Sequence, residues 1–248
     1  MAVSKADLHI HTSVSDGMAS VGRVLERVEH ELDLDVIAVT DHEDVTGGLR
    51  AREMAARRGY RVEVIPGAEI TTIQGHLLCL FIEDTPKSFR SIEATLEWVH
   101  ARGGMAVVPH PASWLTRSVS RRTIDRICKR AEAGITFDAI ETANPSPAGR
   151  VTRDRMRAAN LDWGLPETGG SDAHHLPHLG TGWTEFPGEG AEALRAAIRA
   201  GATRGDMSRY PSVREVGVTR TALGLAWGYM ATPRKVLRGL RRSPGGGG

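Results

Sequence analysis

The residues of this chain best suited to chemistry are histidines and carboxylates placed at the ends of apolar runs. Asp7-Leu8-His9-Ile10-His11 sets two imidazoles at i and i+2, which in an extended segment point to one side. Asp16-Gly17 follows. Two histidines on one strand face are half of a metal site, or equally a pair of edge-strand side chains, so the reading depends on further ligands. The chain supplies them. His42 closes the run Val36-Ile37-Ala38-Val39-Thr40-Asp41. Glu69 follows Val62 to Ile65 and Pro66-Gly67-Ala68, and His110 follows Met105 to Val108 and Pro109. Asp172 and His174 follow Leu165 to Thr168, and Glu141 ends Phe137 to Ile140. His76 differs in opening its apolar run, which extends to Ile82. Imidazole and carboxylate together suit zinc, manganese or iron rather than calcium, and a central carboxylate such as Glu69 can bridge two ions. Each ligand histidine needs an acceptor on its other ring nitrogen. Asp7, Asp41 and Glu141 are candidates, with strand-end, turn or helix capping as the alternative role.

The elements that must position these groups alternate. Helices are expected over 21–32, 49–58, 89–99, 120–133, 151–160 and 191–200 from apolar spacing of three and four. Ser20 reads as an N-cap, and Gly59 as a C-terminal stop. The apolar runs between them read as buried strands of a parallel α/β protein. In a parallel barrel the C-terminal strand ends converge on one rim, where active sites sit. Glu69 and His76 lie on two strands with no helix between them.

The 248 residues suit one large domain. Hydrophobic content is 40%, charged content 25% and net charge +2, which favour an ordinary soluble protein and no particular partner. Cys79 lies in an apolar run and, with Cys128, makes no paired-cysteine spacing. The first strand begins within a few residues of Met1, leaving no room for a signal peptide, and Leu223 to Ala231 falls short of the ~20 residues a bilayer span needs. A cytoplasmic location is the expectation. No P-loop or dinucleotide fingerprint is present, and nothing interleaves basic and aromatic residues as an RNA-binding sheet does.

Taken together, Asp7-Leu-His-Ile-His-Thr, Ser15-Asp-Gly, Thr40-Asp-His, Pro66-Gly-Ala-Glu-Ile-Thr, His76, His110-Pro and Gly170-Ser-Asp-Ala-His resemble the polymerase and histidinol phosphatase (PHP) superfamily of metal-dependent phosphoesterases. The resemblance runs from residue 5 to about residue 204. It implies a distorted (β/α)7 barrel, TIM-barrel-like, over 1–204, with residues 205–248 as a basic helical extension ending in Gly245 to Gly248. It also implies two to three divalent ions. The first site would be His9, His11, Glu69 and Asp172; the second Glu69, His76 and His110; the third Asp16, His42 and His174. Glu43 stands where many relatives have Asp. Only residues 111–140 separate His110 from Glu141, room for one crossover rather than an inserted domain.

The activity expected is hydrolysis of a phosphate monoester or diester, with Asp172 and His174 as the catalytic residues. Arg117, Arg153 and Asn144 are candidates to hold the substrate, arginine because its fork matches phosphate. Other arginines in segments after the rim strands, Arg121, Arg122 and Arg150, read as a solvated face. His30 and His100 read as solvated, and His175 and His178 as surface groups. The partner expected is a phosphorylated small molecule or nucleotide, without stable nucleic-acid binding. The alternatives are a nuclease or nucleotide phosphatase, and a non-catalytic metal-stabilised interaction module. The tail, mixing Leu223, Trp227 and Met230 with Arg234, Arg238 and Arg241, docks on the barrel or, less favoured, lies on an anionic membrane.

Overall fold

The computed structural model describes residues 3–130, 134–219, 221–224, 226–227 and 230. The chain runs β1 (Val3–Ile10), α1 (Val21–Glu31), β2 (Val36–Val39), α2 (Thr46–Arg58), β3 (Glu63–Thr72), β4 (Gly75–Leu80), α3 (Ile92–His100) and β5 (Met105–Val108). It continues through α4 (Arg121–Cys128), β6 (Ala139–Ala143), α5 (Pro147–Arg150), α6 (Arg153–Trp163), β7 (Glu167–Gly169), β8 (Gly182–Pro187), α7 (Gly190–Arg199), β9 (Arg204–Met207) and α8 (Val213–Val216). Local chemistry fixes many of the boundaries. Ser20, Ser91 and Ser120 accept from backbone N–H groups in the first turns of α1, α3 and α4, and Gly59 ends α2 at φ 65°.

The strands form one sheet in the order β7-β6-β5-β4-β3-β2-β1-β8-β9, curved into a nearly closed barrel. The gap between β7 and β1 is bridged. Thr184 Oγ1 accepts from Gly169 N at 2.9 Å and donates to Gly169 O at 3.0 Å, and Ile10 bridges Ala173 in parallel. The expectation of a parallel sheet holds only in part. β1–β2–β3 and β5–β6–β7 are parallel, but β4 is antiparallel to both neighbours, and β8 is antiparallel to β1 and β9. The cause is the short turn after Thr72, which allows a hairpin and leaves no crossover. The sheet also runs past residue 204 through β9, and Gly224 packs against His175. Of the expected tail, residues 220, 225, 228, 229 and 231–248 lie outside the described residues.

The core lies on both sides of the strands. Val36–Val39 is buried throughout, as a parallel strand covered on both faces must be. Inside the barrel, Leu8, Val36, Ala38, Ile65, Leu78, Leu80, Val107 and Phe186 pack together. Helices cover the outside through Val24, Leu25 and Val28 of α1 and Leu96 and Val99 of α3.

Candidate metal centre

Every strand end expected to carry a ligand delivers it to one rim. Glu69 is the hub. Its Oε2 lies 3.3 Å from His9 Nε2, His11 Nε2 and His42 Nδ1, and its Oε1 lies 2.8 Å from His76 Nδ1 and 3.1 Å from His110 Nε2. The antiparallel run of β4 explains why His76 opens its strand and still reaches this rim. His76 sits opposite Thr71, two residues beyond Glu69 on the same face. Asp172 Oδ1 lies 3.6 Å from His9 Nε2, 3.5 Å from His11 Nε2 and 3.7 Å from His174 Nδ1. Asp16 faces His11, His42 and His174 at 3.5–3.7 Å.

The ligand atoms fall into overlapping groups, each within 4.8 Å: His11, Asp16, His42 and His174; His9, His110 and Asp172; His9, His11 and Glu69; and His42, Glu69 and His76. All nine residues expected to hold metal fall in these groups. The grouping differs from the expected one in three places: His11 falls with Asp16, His42 and His174, His110 falls with His9 and Asp172, and His42 falls with Glu69 and His76.

These donors fit divalent metal ions. His11 Nδ1 and Nε2, Asp16 Oδ1 and His76 Nδ1 are buried and make no aligned hydrogen bond, although a group of possible opposite charge lies 2.8–3.7 Å from each, which is costly unless something else satisfies them. Burial opposes the charged forms, yet the charges on His76, His42 and His9 hold the Glu69 carboxyl well below the usual range. Burial likewise opposes charge on His11, but the Asp172 and Glu69 carboxylates beside it push it up to about 10. Burial, together with the charges on His11 and His76, pushes His42 down to about 4. Buried carboxylates here draw on protons for the positive charge that cations would otherwise provide.

A supporting shell holds the ligands. Glu141 Oε1 accepts from His9 Nδ1 at 3.0 Å, while its Oε2 accepts from His110 N and Asn144 Nδ2, both at 2.8 Å. Glu141 thus orients a ligand histidine. Asp7 and Asp41 do not. Asp7 accepts from the backbone of His9, Ser171 and Gly180, clasping the end of β1 to the loops after β7. Asp41 accepts from Thr12 N, Thr12 Oγ1, Ser15 N and Ser15 Oγ, and so folds the loop that carries Asp16. Asn144 is buried; its amide nitrogen donates to Glu141 and its oxygen accepts from Ser146 N at 2.9 Å, so the contacts it makes are to the supporting shell.

Two supports escaped the sequence reading. Ser118 Oγ pairs with His110 Nδ1 at 2.8 Å, and Ser146 Oγ donates to Asp172 Oδ2 at 3.0 Å. Glu43 turns its buried carboxylate to Thr71 N and Ser88 Oγ, bracing β3. Backbone strain collects at the same rim, with φ of 55° at Glu43, 30° at His110, 53° at Ala112 and 53° at Asp172. Of the remaining candidates, Arg117 is exposed and stands 5.7 Å from the Phe89 ring. Arg153 is half-buried with an unpartnered Nε. His30 is exposed, as expected, but His100 bonds Asp138 at 2.8 Å. His178 is buried and stacked on Tyr210 at 3.9 Å.

Residues 7–132 match the PHP domain family and residues 154–203 match the PHP-associated family. The chain belongs to the PHP family of metal-dependent phosphoesterases. An uncharacterized protein of Methanocaldococcus jannaschii is 35% identical over 56% of this chain and 81% of its own length. The 5'-3' exoribonuclease Rnm of Salmonella typhimurium is 37% identical over 27% of this chain, which matches only 22% of that relative's length. A two-domain protein of Bacteroides vulgatus, containing a PHP-like metal-dependent phosphoesterase, superposes with a TM-score of 0.67 at 20% identity. That likeness covers 83% of this chain and 65% of that one, and it shows the distorted TIM barrel expected of a PHP chain. The expectation of no stable nucleic-acid binding finds no support among these relatives, one of which is named for cutting RNA. Among the described residues no helix is long and apolar enough to cross a membrane.

Proposed function

We propose that this PHP chain hydrolyses phosphate esters with two to three divalent ions held by His9, His11, Asp16, His42, Glu69, His76, His110, Asp172 and His174. The observation that carries the reading is the convergence of five imidazoles on the single carboxylate of Glu69. Zinc, manganese or iron held there would supply Lewis-acid chemistry.

The chain's own residues supply the rest. Ser146 fixes one oxygen of Asp172, and the other faces the cluster, so Asp172 is the carboxylate placed to accept a proton from the attacking water. His174 is the most exposed of the ligand histidines, with 34% of its side chain open to solvent. Its ring is anchored on the Asp172 carbonyl at 3.0 Å. That position suits stabilisation of a departing oxygen at the mouth of the site, by an ion that His174 would help to hold. Burial of the remaining ligands keeps bulk water from the inner carboxylates. A solely structural role for the ions would not require such an open edge.

The test is phosphate release from a monoester and a diester by metal-loaded protein and by Asp172→Asn, with metal content measured on both. We expect the variant to lose most of its rate. Equal rates at equal metal content would sink the mechanism. A second reading, cleavage of oligonucleotides, is supported by the partial likeness to an exoribonuclease. Direct competition between glycerol phosphate and a dinucleotide decides between them.

A further inference from the structure

The loop between His110 and Val119 is built to display one side chain. Its neck is closed by Ala112 N donating to Val119 O at 2.9 Å. Inside the neck, Ser113 N donates to His110 O, Leu115 N to Ser113 Oγ and Ser118 N to Thr116 O. The loop is pinned to the metal centre twice. Ser118 Oγ holds His110 Nδ1 at 2.8 Å, and the Arg117 carbonyl accepts from His76 N at 2.8 Å. At its tip Trp114 is 75% exposed and Leu115 is 47% exposed. An indole that open loses most of the burial that tryptophan ordinarily gains from a fold. Trp114 is four residues from His110, so at most about 14 Å of chain separates their Cα atoms.

The flank of this loop is basic. Thr152 Oγ1 donates to Pro111 O at 2.7 Å, tying the segment that carries Arg150, Val151 and Arg153 to the root of the Trp114 loop. Arg150 is exposed, Val151 is 42% exposed, and the Nε of Arg153 has no partner. Among the described residues no carboxylate pairs with Arg117, Arg150 or Arg153. Arginines without a carboxylate partner, on a loop with an exposed aromatic ring and on the segment tied to its root, are the elements of single-strand recognition: cations for phosphate, a flat face for a base. Three exposed apolar side chains broken up by arginines offer far less than the ~800 Å² a protein partner covers.

We propose that Trp114 is a stacking platform for a nucleobase of a nucleotidyl phosphoester whose phosphate enters the metal centre, with Arg117, Arg150 and Arg153 supplying the cations along it. This rests on the phosphoesterase reading and narrows its substrate class. The sequence showed no interleaved basic and aromatic pattern because only the fold ties residue 152 to residue 111, at the root of the loop that carries Trp114.

Binding is read by rapid-mixing fluorescence on the manganese-loaded full chain, before turnover, with adenosine 5′-monophosphate and ribose 5-phosphate as probes. Trp114→Ala is expected to weaken the nucleotide by about 5- to 150-fold while leaving ribose 5-phosphate unchanged. Trp114→Phe should restore most of the difference. Equal loss for both probes, or loss for neither, overturns the platform. So does an oligomer that dissociates in Trp114→Ala with nucleotide affinity intact. Phosphate release from glycerol phosphate by the same preparation tests the activity separately. Base-selective binding without release rejects the phosphoesterase reading and keeps the platform. Release without base selectivity rejects the platform and keeps the activity.

Discussion

Changing Glu141 to glutamine alters one atom and should cost the protein much of its hold on metal. Glu141 Oε2 accepts two donors, His110 N and Asn144 Nδ2, and Oε1 accepts from His9 Nδ1. For His9 Nε2 to offer a lone pair toward Glu69 and Asp172, the ring proton must sit on Nδ1. An amide at residue 141 must keep its oxygen toward the two donors, so its NH₂ meets the Nδ1 proton of His9. The ring then either loses that hydrogen bond or moves its proton to Nε2, where it blocks ligation. Turning the amide over gives two donor clashes instead of one. A hydrogen bond to a charged group contributes about 1.5–3 kcal/mol, which is roughly 10- to 150-fold in a binding constant. That range overlaps the 10- to 100-fold typical of partners that orient metal ligands. The assay is competition of Glu141→Gln and wild type against a chromogenic chelator for zinc and manganese, with circular dichroism to show that both are folded. Metal affinity within about twofold of wild type would refute the tautomer argument.

Three further outcomes follow from the same packing. Ser146→Ala should lower kcat about tenfold with KM little changed, because one oxygen of Asp172 loses its donor; Ser146→Thr should restore the rate, and an unchanged kcat in Ser146→Ala would refute the role. Gly170→Ala would put a methyl 2.5 Å from His9 Cβ and 2.7 Å from Glu141 Oε1, so a loss of ~1–3 kcal/mol is expected in thermal melts, and an unchanged Tm would show that the loop yields freely. The hydrogen bond to Asp138 raises the pKa of His100 in the folded state. Its stabilisation is therefore fully present below the unfolded value of about 6.5 and fades as pH rises through the folded value. The Tm gap between wild type and His100→Ala should be wider at about pH 5.5 than at about pH 8.5, and a gap that widens with pH would reverse the assignment.

Most of the nine candidate ligands were legible because they end apolar runs, and a rim built from strand ends collects whatever those ends carry; His76, which opens its run, and Asp16, in a loop, were placed by the family resemblance instead. Glu141 was legible in the same way, although its role needed the fold: only the structure shows that its two oxygens face different partners. Ser118 and Ser146 were not legible, since an isolated serine in a loop looks alike whether it holds a ligand or faces water. Asp41 misled because it precedes His42 in sequence yet points back to Thr12 and Ser15. β8 and β9 were missed for a related reason. Gly182-Trp-Thr-Glu-Phe-Pro alternates over a single short stretch, and Arg204–Met207 carries almost no apolar signal. Their strand character comes from pairing with β1 and with each other. His178 was read as a surface group because nothing near it in sequence announces the Tyr210 ring that covers it.

The position of β1 between β2 and β8 has a consequence for synthesis. Its first neighbour is made soon after it, but β8 begins at Gly182, long after β1 ends at Ile10. At ribosomal rates of about 5–20 residues per second, that edge waits roughly 10 to 35 s for its partner. During that time the nascent chain presents an unpaired strand edge along Val3–Ala6, open to pairing with other chains. How fast the ribosome crosses the residues between β1 and β8 therefore governs the exposure of that edge, independently of how stable the finished barrel is.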